Sequence, residues 1–220
     1  MTIRAVVFDM DGLMFNTEDV YTLVGDELLK RRGHVFTTEV KNAIMGTPPQ
    51  ASFPYMIRHY GLNENWQDML TESNQLFISL LNEHLAPMPG LFELLEALEQ
   101  AGIPKAIGTS SRLETADACL KPFDLQKRFQ FILTAEDIIQ GKPNPEIYLT
   151  AAKRFGIPPA EMAVLEDSQN GCLAASSAGA FAVAVPGEHS QTHNFDSASL
   201  VIGSLADPRL YQALEIGRSA

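Results

Sequence analysis

The sequence predicts an α/β fold, a doubly wound parallel sheet with a helical domain inserted after its first strand. Three observations predict it. An apolar β-branched run opens the chain and stops at "DMDG"; the stretch from about Thr17 to Glu83 carries helical spacing without a strand pattern; from "MPG" at 88 to 90 onward, helix and strand patterns alternate. Strands separated by helices imply βαβ units, right-handed crossovers and a parallel sheet covered on both faces.

The elements follow in order. Residues 6 to 12 read "VVFDMDG", a buried strand that ends in two carboxylates. "YTLVGDELLKRRG", "EVKNAIMG", "SFPYMIRHYGL" and "MLTESNQLFISLLNEH" read as helices and turns of a compact bundle. Then come helix "LFELLEALEQAG", strand "KAIGT", helix "LETADACL", strand "FQFILT", helix "PEIYLTAAKRFG", strand "AVLED", helix "NGCLAASSAG" and strand "AFAVAV". The expected division is a core of residues 1–15 and 84–220 and an inserted domain of residues 16–83.

A chain of 220 residues with 45% hydrophobic content is long enough for a full α/β core and a second small domain. Its 16 Lys and Arg against 27 Asp and Glu give a net charge of −11, with no basic run to meet nucleic-acid polymers or an anionic membrane. The N-terminus lacks the apolar run of a signal peptide and no stretch approaches transmembrane length, so a cytoplasmic location is expected. Two cysteines, Cys119 and Cys172, make neither a disulfide framework nor a metal pattern and read as buried small hydrophobes.

In doubly wound sheets, ligands bind beyond the carboxyl ends of the strands, where strand order reverses. Four such ends carry chemistry. Asp9 and Asp11, two residues apart on an extended chain, point to the same side. "GTSSR" offers the Thr109 hydroxyl and the Ser110 backbone N–H, with a helix N-terminus behind them; Ser111 and Glu114 make an S-x-x-E pattern, so Ser111 is assigned to capping. In "GKPNPEIY", Asn144 and Pro145 read as an N-cap and first helical residue, which leaves Lys142 free to reach the same crevice. "AVLEDSQNG" supplies Glu166 and Asp167, with Ser168 as a candidate cap.

Converging carboxylates, one ammonium and a set of N–H and O–H donors suit a hard cation and a phosphate, and the expected cofactor is Mg²⁺. A carboxylate that attacks a phosphate dianion needs its charge neutralised by metal, lysine and backbone dipoles. Asp9 is the expected nucleophile, forming an aspartyl phosphate. Asp11 is the acid toward the leaving oxygen and then the base toward water. Thr109, Ser110 and Lys142 hold the phosphoryl group, and Asp9, Glu166, Asp167 and the Asp11 carbonyl hold the metal.

At "DMDG", "GTSS", "GKPNPEIY" and "EDSQNG" the sequence resembles the haloacid dehalogenase-like superfamily, whose four motifs these match in order and spacing along essentially the whole chain. The resemblance implies a Rossmann-like core with a helical cap inserted after the first motif, and Mg²⁺-dependent aspartyl-phosphate chemistry on the residues above. "FDMDGL", "MG" at 45 to 46, "MPG" and "TSSR" are most similar to the β-phosphoglucomutase-like branch and its small pseudouridine-5'-phosphate-type phosphatases. The expected partner is a small phosphorylated metabolite, chosen by the cap. The usual acidic residue before "TE" is Asn16 here. Sugar-phosphate mutases of this branch are implied to carry an arginine shortly after the glycine matching Gly46 and a histidine on the first cap helix; "MGTPPQ" offers Pro48 and Pro49, and Tyr21 stands near the histidine position, with Arg58 or Lys41 as substitutes. A mutase and a phospho-acceptor signalling module are the competing readings, the latter being shorter and lacking a cap.

His189 and His193 have i, i+4 spacing, but their segment is polar and non-periodic and reads as a loop rather than a metal site. Trp66 and Phe77 read as cap core.

Overall fold

The computed structural model of the protein describes residues 2–44, 47 and 49–217. "MG" at 45 to 46 and Pro48, used above, lie outside these residues.

Contacts divide the chain into a unit of residues 1–16 and 86–220 and a unit of residues 17–85. The first unit holds one sheet: β1 (Ala5–Phe8), β2 (Lys105–Gly108), β3 (Ile132–Leu133), β4 (Met162–Glu166), β5 (Phe181–Ala184) and β6 (Leu200–Val201). Its order is β3-β2-β1-β4-β5-β6, every pair parallel. The sheet is thus doubly wound, with its order reversing between β1 and β4. β1, β2 and β4 are buried along their whole length, as central strands covered on both faces must be.

On one face, Val7, Met162 and Val164 pack with Ile147, Tyr148, Ala151 and Ala152 of α7 (Glu146–Phe155) and Ala174 and Ala175 of α8 (Gln169–Ser177). Val6 and Phe8 alternate to the opposite side, where Phe8 meets Phe129 edge-on at 5.8 Å. The small alanines of α8 let the helix sit close to the sheet. α5 (Leu91–Gln100) buries Leu91, Leu94, Leu95 and Leu98 at helical spacing, and α6 (Leu113–Leu120) buries Ala116, Cys119 and Leu120. Cys119 and Cys172 are both buried free thiols, their pKa values raised by that burial.

Two parts of the sequence pattern are revised. "FQFILT" forms a strand only at Ile132–Leu133, because Phe129 follows a 3-10 turn at Gln126–Arg128 and packs as a side chain instead. Beyond β5, the edge strand β6 and α9 (Pro208–Ala213) extend the fold; a two-residue edge strand carries too little alternation to be read from sequence.

The second unit contains α1 (Thr17–Lys30), α2 (Thr38–Ile44), α3 (Pro49–Tyr60) and α4 (Trp66–His84). α1 lies along α4, with Tyr21 stacked on Phe77 at 4.3 Å and Phe77 buried, whereas Trp66 is only half-buried. Gly25 admits the Phe36 ring, since a Cβ there would meet it at 2.4 Å. Arg32 ties Glu64 and Glu72 together at 2.6 and 2.8 Å.

The two chain crossings are joined within the first unit. Asn16 N–H donates to Ala86 O at 3.1 Å and Asn16 Oδ1 accepts from Ala86 N–H at 2.7 Å, which places the boundaries at 16/17 and 85/86, one and two residues from those expected. Among the described residues no helix is long and apolar enough to cross a membrane.

Candidate active site

β1 and β4 run side by side with Phe8 opposite Leu165, so the next residues, Asp9 and Glu166, emerge together at the switch point. Asp9 is 6% exposed and Glu166 fully buried. Lys142 enters from the loop before α7 and is not a surface lysine: its side chain is 6% exposed. Its ammonium donates to Asp9 Oδ1 at 2.5 Å, Glu166 Oε1 at 2.6 Å and the Gly108 carbonyl at 3.0 Å, which uses all three of its protons.

Burial alone would lower the pKa of the Lys142 ammonium, but the facing carboxylates of Asp9 and Glu166 hold it well above its ordinary value. Burial pushes the Asp9 carboxyl upward; Lys142 opposes this, while Glu166 and Asp11 add to it. The lysine is therefore a fixed positive charge that keeps a buried acid in place.

Glu166 is gripped further. Oε1 also accepts the Tyr148 hydroxyl, and Oε2 accepts from Ser168 Oγ at 3.1 Å. Ser168 in turn caps α8 by accepting from Gly171 N–H at 3.1 Å, as the sequence suggested. Gly171 must lack a side chain, because a Cβ would fall 1.9 Å from the Glu166 carboxyl carbon.

Asp11, half-buried, turns toward β2 rather than toward this trio. Its Oδ2 accepts from Thr109 Oγ1 at 3.1 Å and from Ser111 Oγ at 2.7 Å. Among the described residues its Oδ1 is buried without a hydrogen-bond partner. Thr109 is fully buried and its Oγ1 accepts the Ser111 N–H at 2.9 Å, so its hydroxyl is already engaged; Ser110 is exposed beside it.

Here the assignment of Ser111 to capping is corrected. α6 starts at Leu113, with Arg112 at the N-cap and no side-chain cap bond. The Leu113 N–H donates instead to Glu136 Oε2 at 3.1 Å. A carboxylate from another segment satisfies the helix end, which frees the Ser111 hydroxyl for Asp11. Asn144 keeps its capping role although the helix begins one residue later than expected: its Oδ1 accepts the Glu146 N–H at 3.0 Å.

Asp9, Glu166 and Asp167 each offer an oxygen within 4.8 Å of the others. Gly12, at φ +73°, leaves the space that Asp167 Oδ2 occupies 2.4 Å from where a Cβ would lie. Three carboxylates against one ammonium leave excess negative charge in an all-oxygen set, which is the donor chemistry Mg²⁺ prefers. The residues fit the cation. Asp11 contributes no side-chain oxygen to this set.

The helical unit has its own cavity, of about 350 Å³, lined among others by Tyr21, Thr22, Phe36, Lys41, Ser52 and Phe53. Lys41 lines it and Arg58 does not. His193 accepts a long contact from Gln169 N–H at 3.4 Å, and His189 lies in a 3-10 turn. Tyr148 escaped the sequence reading: inside an apolar helical face a tyrosine is indistinguishable from core. Ser111 was misread because the partner that frees it, Glu136, lies 25 residues away in sequence.

Comparison with known proteins agrees with this geometry. Residues 6–185 match the family model "Haloacid dehalogenase-like hydrolase". The chain is 33% identical to a "Probable pseudouridine-5'-phosphatase" of Drosophila melanogaster, covering 91% of this chain and 89% of that protein. It is 32% identical to a "Phosphorylated carbohydrates phosphatase" of Thermotoga maritima, covering 80% and 82%. The crystal structure of a β-phosphoglucomutase from Clostridium difficile superposes with a TM-score of 0.77 at 25% identity, covering 97% of both chains. A doubly wound sheet with acids at the ends of β1 and β4, and a match that spans both, place the chain in the haloacid dehalogenase-like hydrolase family, in the branch that includes these phosphatases and β-phosphoglucomutase-like proteins.

Proposed function

We propose that the protein is a Mg²⁺-dependent phosphatase that hydrolyses a small phosphorylated metabolite, a sugar phosphate or a nucleotide-like monophosphate, through an aspartyl phosphate on Asp9. The observation that carries this reading is the buried Lys142 ammonium held between Asp9 and Glu166, with Asp11 alongside.

In this reading Asp9 attacks phosphorus and the ester P–O bond breaks. Asp11 delivers a proton to the leaving oxygen, so the alcohol departs neutral. As a carboxylate, Asp11 next removes a proton from the water that attacks the aspartyl phosphate, which regenerates Asp9 and releases inorganic phosphate. Thr109, the Ser110 N–H and Lys142 hold the phosphoryl oxygens; for Thr109 this requires exchanging its bond to Asp11 for one to substrate. Asp9, Glu166, Asp167 and the Asp11 carbonyl would hold Mg²⁺, which supplies charge neutralisation to the phosphoryl group.

Residues 17–85 are proposed to act as the cap that selects the substrate. The likeness to a β-phosphoglucomutase favours a mutase as the second reading. A mutase must hold and reorient a bisphosphate while excluding water. Among the cap cations considered, only Lys41 lines the helical cavity, which supports hydrolysis.

A metabolite panel with Mg²⁺, read as released inorganic phosphate, tests the reading. β-Glucose 1-phosphate, if turned over, should give glucose and phosphate. Glucose 6-phosphate formed faster than phosphate would replace phosphatase by mutase, and no phosphate from any phosphomonoester would overturn both.

A further inference from the structure

Tyr148 lies on the first turn of α7, fully buried, with no place among the residues to which the reaction has been assigned. A buried tyrosine hydroxyl needs an acceptor, and any nearby carboxylate satisfies that need. The acceptor here is not incidental. The hydroxyl donates to Glu166 Oε1, the same atom that receives the Lys142 ammonium at 2.6 Å. The ring also approaches that ammonium, whose nitrogen lies 5.2 Å from the ring centroid. Tyr148 Cε1 is 3.4 Å from where a Cβ would stand on Gly108, the residue whose carbonyl accepts the third Lys142 proton. One side chain thus meets the lysine and two of the three groups that fix it.

Resting on the functional reading above, we infer that Tyr148 is a positioning residue: through Glu166 it fixes the lysine on one side and the candidate cation site on the other. Oε1 takes two donors, Tyr148 and Lys142, and its lone pairs are filled. Oε2 takes the Ser168 hydroxyl and retains capacity for a further ligand. With the phenol in place the carboxylate cannot turn without breaking a buried hydrogen bond. Without it, Glu166 is held at Oε1 by the long, flexible lysine alone, and both the ammonium and the free lone pair lose a defined position.

The experiment compares wild type with Tyr148→Phe, which keeps the ring, by three readouts: Mn²⁺ binding followed by electron paramagnetic resonance, kcat and KM with a phosphomonoester, and thermal unfolding. The expected result is a roughly tenfold weaker Mn²⁺ affinity and a ~10–100-fold lower kcat. KM should move less than about threefold, and Tm should fall by no more than the ~2–4 °C of one lost hydrogen bond. Unchanged Mn²⁺ affinity and kcat overturn the inference, whatever Tm does. A variant that does not fold assigns Tyr148 to packing and also overturns it. If wild type binds no Mn²⁺, the metal-dependent reading itself falls and this inference with it; if wild type binds and Tyr148→Phe binds equally while retaining kcat, only the inference falls.

Discussion

Ser111 Oγ donates to Asp11 Oδ2 at 2.7 Å, across 100 residues of sequence, from a position one residue before the N-cap of its helix. Thr109 donates to the same oxygen at 3.1 Å. Two hydroxyls on Oδ2 orient the carboxyl and leave the other oxygen without a hydrogen-bond partner among the described residues, and that oxygen is the one proposed to act as acid and base. Ser111→Ala should therefore lower kcat about tenfold, with the loss in the chemical step, while thermal stability stays within about 1 kcal/mol. A helix cap would do the reverse, costing ~0.5–2 kcal/mol with unchanged kcat. Steady-state kinetics beside a thermal melt distinguishes the two.

Asp9→Asn keeps the volume of a fully packed position and should fold, yet turnover should fall by at least about a thousandfold, because an amide cannot form the acyl phosphate. Acid quench of wild type during turnover of a ³²P-labelled substrate should trap label on the protein, and the variant should trap none. Near-wild-type phosphate release by Asp9→Asn would remove Asp9 from the nucleophile role.

Chelation should abolish activity and Mg²⁺ should restore it, since three clustered carboxylates face a single ammonium. Ca²⁺, which takes more ligands at longer distances, should restore it poorly. Phosphate release measured in EDTA and then with each cation is the check; full activity in chelator would be incompatible with the proposed cation site.

Gly171→Ala tests the packing beneath the site. The new methyl would collide with the Glu166 carboxylate, 1.9 Å away at its carbon. Glu166 must then move, taking Lys142 with it, so kcat should fall by more than tenfold even though alanine is the better helix former. Circular dichroism with kinetics checks it; an unchanged kcat would show that Glu166 has room to give.

Acid stability should depend on Glu99. Hydrogen bonds from Arg128, chiefly, and Lys105 outweigh its burial and bring its pKa down from 4.5 to about 2. A carboxylate with a depressed folded pKa contributes stability above its unfolded value, and that contribution is lost as pH falls through the folded one. The window is therefore from about pH 4.5 down to about 2. Because Glu99 is 41% exposed, screening limits the effect, and Glu99→Gln should cost on the order of 1 kcal/mol at neutral pH. The gap between variant and wild type should close across that acid window in urea melts, and a gap independent of pH would exclude the ion pairs as its source.

How legible the protein was follows from what each element depends on. β1 and β4 are buried along their length and are written as apolar runs, and the acids at their ends stand out against them. Asp9, Asp11, Thr109, Lys142, Glu166 and Asp167 could be picked out that way, since topology alone sends the ends of parallel strands to one edge. Periodicity also marked the helices of both units, whose apolar stripes repeat in sequence. What tertiary structure decided is which donor meets which acceptor. Ser111 serves Asp11 only because Glu136 satisfies the helix end from a distant turn; Tyr148 reaches Glu166 only because α7 packs against β1 and β2. β6 pairs with β5 through Ala184 and Val201, too short a run to carry a period. Spacing along the chain encodes local geometry and the side of the sheet. Hydrogen-bond partners hundreds of atoms apart are set only when the core closes, because burial then penalises a polar group left without a complement.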